Sequence, residues 1–165
     1  MSGDRSLSEM EQIVVDDVRE RGLHVMPIFF EDGRHPNYMH SIGFWESVDQ
    51  PEVIVFGLRN DLMAVILTQL HGQCADGLIM ADGTRVSNLI EGFDCVLRLI
   101  DDPQIVHDQF GWAVWYRALR QRKPMTEAYQ VVWPGAQQGL FPWEPGCDQY
   151  VKDYQPALYE GQALK

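Results

Sequence analysis

The chain has 165 residues, of which 45% are hydrophobic and 22% are charged, a globular balance that excludes wholesale disorder and favours one domain over residues 1–165. Its formal net charge of −11, from 24 acidic and 13 basic residues, argues against nucleic acid and anionic membranes as partners, because both are themselves negative. Three cysteines without C-x-x-C spacing and a polar N-terminus without an apolar targeting segment favour a soluble, cytoplasmic protein.

The first third of the chain predicts a helix, a hairpin and a buried strand. Ser8 opens an S-x-x-E capping box, and apolar residues at helical spacing follow it, so we expect a helix from Ser8 to about Arg21. The β-prone runs Leu23–Phe30 and Tyr38–Trp45 flank an Asp-Gly turn signal and predict a β-hairpin. The run Val53–Leu58 is short, continuous and β-branched, which indicates a central strand covered on both faces.

The remaining residues predict two further helices and two further strands. In chain order these are a helix over Asn60–Gly72, a strand over Phe93–Ile100, a helix over Pro103–Arg122 and a strand over Ala128–Trp133. Gly111 marks a point at which the later helix would divide, and residues 137–165 are predicted to be ordered loop. This order has too few β-α-β units for a doubly wound sheet. It predicts an α+β fold with a mostly antiparallel sheet or a split-barrel-like core and three flanking helices.

The familiar catalytic motifs are absent, so the sequence leaves open whether the protein is an enzyme. It contains no G-x-S-x-G, no P-loop, no H-E-x-x-H and no G-x-G-x-x-G. His35 and His40 have an odd spacing and would point to opposite faces of an extended strand, so we predict no metal site. The dense basic segment Arg117–Lys123 is interpreted as a helix C-terminus, where the helix dipole favours cations.

A candidate ligand-binding segment surrounds the second hairpin strand. His40, Ser41 and Trp45 combine polar and aromatic side chains there, and Gly43 indicates a bulge or a close backbone approach. The alternative is simple packing against the neighbouring strand. The wider set of candidate ligand-binding residues adds Arg59, Arg85, Trp112 and Trp133. For the tryptophans, stacking on a planar ligand competes with an ordinary place in the core.

Five segments resemble the bacterial family of domain of unknown function 4262. They are His40–Phe44, Gln50–Leu58, Gly111–Trp115, Gln130–Pro134 and Gly139–Gly146. The resemblance implies a family-like core over residues 8–146 and a C-terminal tail over residues 147–165. His40 and Ser41 stand where the family usually has Tyr-Thr, so the resemblance does not assign a role to this hydroxyl. It brings no established activity.

A second resemblance concerns architecture alone. A strand, a D-G turn, a strand with a hydroxyl residue, a hydrophobic strand and then a helix are similar to the opening of flavin-binding split barrels. That similarity implies a homodimer with FMN as cofactor, in which Ser41 and Arg85 hold the phosphate and a tryptophan stacks on the ring. Fold-level similarity does not by itself give function.

Three functional hypotheses follow. The first is a small-ligand-binding or regulatory module with its cleft around His40, Ser41, Trp45 and Arg59. The second is a flavin-dependent oxidoreductase of the split-barrel type. The third is an acidic protein-interaction protein, of the immunity or inhibitor kind, whose charge would complement a basic partner.

Overall fold

Six strands form one mixed sheet in the computed structural model, which describes residues 6–162. The strands are β1 (His24–Ile28), β2 (Tyr38–Ile42), β3 (Val53–Phe56), β4 (Arg85–Ile90), β5 (Phe93–Ile100) and β6 (Ala128–Val132). Their order in the sheet is β1-β2-β3-β6-β5-β4, and β3–β6 is the parallel pair while the other neighbours are antiparallel. The expected α+β fold with a mostly antiparallel sheet is confirmed. The sheet is open, so the split-barrel-like alternative is wrong.

The helices are more numerous than the three expected from the sequence. In the described residues they are α1 (Glu9–Arg21), α2 (Phe44–Ser47), α3 (Asn60–Ala75), α4 (Pro103–Gln109), α5 (Gly111–Leu119) and α6 (Gln149–Asp153), with a 3-10 turn at Leu158–Glu160. The helix expected over residues 103–122 divides at Phe110, whose φ of −114° and ψ of 39° lie outside the helical region. The short α2 replaces the end of the predicted second hairpin strand, and α6 lies in the tail expected to be loop.

The start of α1 shows how local sequence determines an element. The Ser8 hydroxyl accepts a hydrogen bond from the Glu11 backbone N–H at 3.1 Å, and the Glu11 carboxylate accepts one from the Ser8 N–H at 2.8 Å. The helix ends at Gly22, which adopts a φ of 87°. The capping box and the glycine stop predicted from the sequence are both confirmed.

The two faces of the sheet are covered by different helices, and β3 faces both layers. Val53 and Val55 pack with α3, while Ile54 and Phe56 pack in the cluster that contains residues of α1, α4 and α5. All four side chains are fully buried. The prediction of a central strand is therefore confirmed. None of the helices in residues 6–162 combines the length and apolar composition required to cross a membrane.

Strand β4 was not expected from the sequence. Its residues lack a clean apolar alternation, Asn88 has a φ of 67°, and the pairing with β5 shifts register between Val86 and Ile90. The hairpin turn that joins β4 to β5 lies at residues 91–92, beyond the Asp-Gly turn signal at residues 82–83. An irregular edge strand of this kind is formed by pairing with β5 rather than by its own periodicity.

Candidate functional site

A pocket of about 280 Å³ lies at the end of the sheet where the parallel strands β3 and β6 begin. Its walls come from two segments, one that runs from α2 to the start of β3 and one that runs from the end of α5 to the start of β6. The lining residues are Trp45, Asp49, Gln50, Pro51, Arg117, Arg122, Pro124, Met125, Thr126 and Glu127. The Tyr129 N–H donates to the Glu52 carbonyl at 3.0 Å, so the starts of β3 and β6 are held side by side. We call this cavity the Trp45 pocket.

Gly43 directs the chain that brings Trp45 to the pocket. It has a φ of 106°, and a Cβ at this position would lie 2.8 Å from Val18 Cγ1 and 3.0 Å from the Gly22 carbonyl oxygen. A side chain is therefore excluded both by the backbone conformation and by the available space. The turn at Gly43 starts α2, and Trp45 then packs against Tyr116 of α5 with ring centroids 6.0 Å apart.

A buried carboxylate holds the turn that carries Trp45. The side chain of Glu52, which is 1% exposed, accepts hydrogen bonds from the Ser41 hydroxyl at 2.7 Å and from the backbone N–H groups of Gly43 at 2.8 Å and Phe44 at 3.1 Å. Burial raises the pKa of Glu52, and the three donors oppose that shift. The Ser41 hydroxyl also accepts a bond from the Val53 N–H at 2.9 Å, so its hydrogen-bonding capacity is used within the fold.

Two guanidinium groups lie over the Trp45 indole. The Cζ atom of Arg117 is 5.4 Å from the ring centroid and that of Arg122 is 4.7 Å from it. Arg117 donates from Nε to the Lys123 carbonyl at 2.9 Å, and within residues 6–162 neither guanidinium forms an ion pair. Burial lowers the pKa of Arg117, Glu52 raises it and Arg122 lowers it. Arg117 stays cationic at neutral pH, because a guanidinium starts from a very high pKa.

The end of α5 explains why two arginines meet at one ring. The Arg122 N–H donates to the Arg117 carbonyl at 2.9 Å and the Gln121 N–H to the Ala118 carbonyl at 3.0 Å, which is the hydrogen-bond pattern of a Schellman motif. Gln121 takes the left-handed position of the motif with a φ of 57°, where glycine is usual. The motif folds Arg122 back beside Arg117.

Two carboxylates line the same pocket without a partner. Asp49 and Glu127 make no hydrogen bond or ion pair through their side chains with any residue in the described part of the chain. The neighbouring Arg120, by contrast, donates to Glu46 at 3.0 Å. Asp49 has a φ of 57°, and strained backbone of this kind concentrates at functional sites.

The indole nitrogen of Trp45 is an unsatisfied donor. Nε1 is buried and has no hydrogen-bond partner in the structure. A buried unsatisfied donor is rare, because leaving it without an acceptor costs about 1–3 kcal/mol. Because Nε1 is enclosed by the protein, the polar lining of the pocket comes from other residues, among them two guanidinium groups and two carboxylates.

His40 and Ser41 do not share a cleft, because adjacent residues of a strand point to opposite faces. His40 is fully buried, with its ring centroid 5.4 Å from that of Phe110, and its Nδ1 lies 3.1 Å from the Ser41 carbonyl oxygen while Nε2 has no partner. Burial lowers the pKa of His40 to about 4. The ring is neutral at pH 7 and lies away from the Trp45 pocket lining.

The other sequence candidates lie at separate places. Arg59 is exposed with its Nε 3.5 Å from Asp61, and the Arg85 guanidinium lies 5.3 Å from the Phe141 ring centroid. Trp112 is half-buried with its ring 5.6 Å from that of Trp115. Trp133 is buried, and its Nε1–H donates to the Phe56 carbonyl at 2.7 Å. Of the seven candidates, Trp45 lines the pocket and Ser41 supports it through Glu52.

The sequence reasoning missed the charged residues of the pocket. Arg117 and Arg122 belong to the basic segment that was interpreted as a helix terminus, and α5 does end there, at Leu119. The sequence signal for Arg117 and Arg122 was the basic segment itself, because dense basic segments are few in an acidic chain. Glu52 carried a weaker signal, namely a carboxylate directly before a fully apolar strand.

The residues expected to hold a flavin phosphate do not fit that group. Ser41 lies on β2 and Arg85 on β4, and the strands β3, β6 and β5 lie between them. Four steps of strand spacing correspond to roughly 19 Å. In addition, the Ser41 hydroxyl is buried and already bonded to Glu52 and Val53. Within residues 6–162, no three His, Cys, Asp or Glu side chains are grouped so that they could hold a metal ion.

Comparison with known proteins gives one match. The family model described as Domain of unknown function (DUF4262) matches residues 17–148, which is most of the chain. The family resemblance inferred from the sequence is thereby confirmed. No curated protein and no solved structure matches the chain.

Proposed function

The chain belongs to the DUF4262 family, whose description assigns no activity, and we propose that it is a small-ligand-binding module that holds an anion in the Trp45 pocket. This proposal keeps the first functional hypothesis from the sequence and moves its site. His40 and Arg59 lie outside the pocket lining, whereas Arg117 and Arg122 are part of it.

The observation that carries the proposal is the pair of guanidinium groups at one indole without a carboxylate partner. Two like charges this close repel each other, and partial burial of Arg117 removes part of the water that would screen them. Guanidinium groups bind carboxylate and phosphate through two parallel hydrogen bonds. An anion between Arg117 and Arg122 would offset the repulsion between them.

The contact of two guanidinium groups with one ring, and not the lack of ion pairs, distinguishes this pocket. In residues 6–162 the arginines that form ion pairs are Arg59, Arg98 and Arg120, so an arginine without one is ordinary in this protein. Arg117 and Arg122 differ from the others because both lie over the same indole.

Titration with small anions tests the proposal. We expect benzoate or inorganic phosphate to change the tryptophan fluorescence saturably and to release heat in calorimetry, with binding that weakens as salt rises. Arg122→Gln should weaken binding by about tenfold or more, because a charge-assisted hydrogen bond contributes about 1.5–3 kcal/mol.

The matched control is Arg59→Gln, which removes an exposed arginine outside the pocket. It should leave both the affinity and the melting temperature unchanged. Loss of binding in Arg59→Gln with retention in Arg122→Gln would place the site elsewhere. Absence of any saturable signal with both anions at millimolar concentration would overturn the proposal.

A further inference from the structure

The Trp45 pocket contains charges of both signs, and an anion alone uses only half of them. Asp49 and Glu127 line the same cavity as Arg117 and Arg122. From this arrangement, and resting on the proposed function above, we infer that the ligand is a small zwitterion with a carboxylate and an ammonium group, the chemistry of a free α-amino acid.

The separation of the four charges supports a bridging ligand. An ion pair would require a nitrogen and an oxygen within 4.0 Å, and no such pair joins these carboxylates to these guanidinium groups. The pocket thus keeps its cations and its carboxylates apart although opposite charges attract. A molecule that carries both charges can satisfy both sets at once, whereas a simple anion gains from Arg117 and Arg122 and leaves Asp49 and Glu127 without a partner, so it should bind more weakly.

The uncharged walls of the pocket favour a compact apolar side chain on that zwitterion. Trp45, Pro51, Pro124 and Met125 provide apolar surface, and Met125 is buried. The volume of about 280 Å³ is at the lower limit of the range of about 300–1,000 Å³ that is usual for drug-sized ligands. An apolar amino acid such as leucine or phenylalanine matches that size and surface better than a nucleotide does.

The uncharged polar wall residues are Gln50 and Thr126, and Gln50 contributes shape and not charge recognition. Gln50 donates from Nε2 to the Leu78 carbonyl at 2.6 Å and accepts from the Met80 N–H at 2.7 Å, so its amide is used by the protein. Recognition of the charged ends of the ligand then depends on the two cations and the two carboxylates.

Calorimetric titration with matched ligands tests the inference on the full chain. The ligands are L-leucine, 4-methylpentanoate, which keeps the carboxylate and lacks the amine, and 3-methylbutylamine, which keeps the amine and lacks the carboxylate. We expect leucine or phenylalanine to bind at least tenfold more tightly than either single-charge analogue. In Glu127→Gln the advantage of leucine over 4-methylpentanoate should shrink, whereas Arg122→Gln should weaken both.

Controls and outcomes separate this inference from the proposed function. Asp61→Asn, which removes an exposed carboxylate outside the pocket, should leave leucine binding unchanged, and Asp49→Asn provides a second test if Glu127→Gln fails to fold. Binding of 4-methylpentanoate, benzoate or phosphate as tight as that of leucine or phenylalanine would overturn the inference and leave the proposed function standing. If none of these anions and neither amino acid bound, the inference and the proposed function would both be overturned.

Discussion

Two clusters of arginine and tryptophan in this protein use the same residue types in different ways. In the closed cluster, the Arg98 guanidinium carbon lies 4.9 Å from the Trp143 ring centroid and 4.4 Å from that of Tyr159, and its Nε donates to Asp82 at 3.0 Å. Asp82 also accepts from the Leu99 N–H at 2.9 Å, and this bond and the Arg98 contact lower its pKa. Every charge of the closed cluster has a partner.

The open cluster lacks such an ion pair. Arg117 and Arg122 lie over Trp45 at comparable distances, but no carboxylate in residues 6–162 forms an ion pair with either of them, and the buried Glu52 acts on Arg117 without one. The difference teaches that a guanidinium over an aromatic ring is not by itself a sign of binding. In the closed cluster a carboxylate compensates the guanidinium charge within the fold, and the proposed function assigns that role in the open cluster to a bound anion.

Removing the carboxylate that supports the open cluster should have the largest effect on stability. In Glu52→Ala, the Ser41 hydroxyl and the N–H groups of Gly43 and Phe44 lose their acceptor in a site closed to water. We expect a loss of about 3–5 kcal/mol in the free energy of unfolding, measured with urea. Glu127→Ala, which removes an exposed carboxylate of the same pocket, should change the free energy of unfolding by less than about 0.5 kcal/mol. Equal effects would mean that Glu52 does not hold the turn.

The pH dependence of stability sharpens the comparison of the two clusters. Strand β2 leads into the open cluster and carries a buried base, His40. Burial lowers the pKa of His40 from 6.5 to about 4. Between these values the unfolded chain binds a proton that the folded protein does not, so stability falls as the pH is lowered through this window. The loss attributable to His40 is about 3 kcal/mol.

The measurement for His40 is a difference between two proteins. Glu52 has a raised pKa and titrates in the opposite sense, since its contribution to stability is greatest at low pH and is lost as the pH rises. Urea unfolding of the native protein and of His40→Phe between pH 4 and 7 isolates the histidine. If the free energies of unfolding of the two proteins changed with pH in parallel, His40 would not take up a proton on unfolding.

Truncating one arginine in each cluster should separate the complete cluster from the incomplete one. Arg98→Ala removes an ion pair and two aromatic contacts and should cost about 1–2 kcal/mol of stability. Arg122→Ala removes one cation–π contact and no ion pair, so it should cost less than about 1 kcal/mol. Thermal and urea unfolding measure both. A larger loss in Arg122→Ala than in Arg98→Ala would reverse the assignment of closed and open clusters.

The smallest expected effect is a gain at the end of α5. Gln121 occupies the left-handed position of the Schellman motif, and Gln121→Gly should stabilise the protein by about 1 kcal/mol without loss of anion binding. Asn88→Gly is the matched comparison, since asparagine tolerates a positive φ better and the gain should be smaller. Differential scanning calorimetry detects both shifts. A destabilised Gln121→Gly would indicate that the glutamine side chain has a role beyond its backbone.

Several elements could be predicted from the sequence because their signals are local. The capping box at Ser8 and the continuous apolar run of β3 identified α1 and the central strand, and the proline after Asp102 identified the start of α4. The division at Phe110 was anticipated only as a possibility at Gly111. The end of α5 was placed too late, at Arg122, because Gln121 stands where a glycine would have marked the stop.

The candidate site was predictable only in part. Trp45 stood out through Gly43 and the aromatic residues near it, whereas His40 and Ser41 were grouped although strand alternation separates them. Glu52 could not be recognised from the sequence as the acceptor that holds the turn at Gly43. Its three donors come within hydrogen-bond distance of Glu52 only when β2 pairs with β3.

The sequence by itself determined the class of the fold, the helix and strand positions with strong periodicity, and the acidic character of the chain. Only the tertiary structure decided that the segment after β2 meets the segment after α5, since the parallel pairing of β3 with β6 brings these distant parts of the chain together. Periodicity and capping depend on residues a few positions apart. The partners of a charged side chain depend on strand order, and that order decided that the cations of the Trp45 pocket stay unpaired.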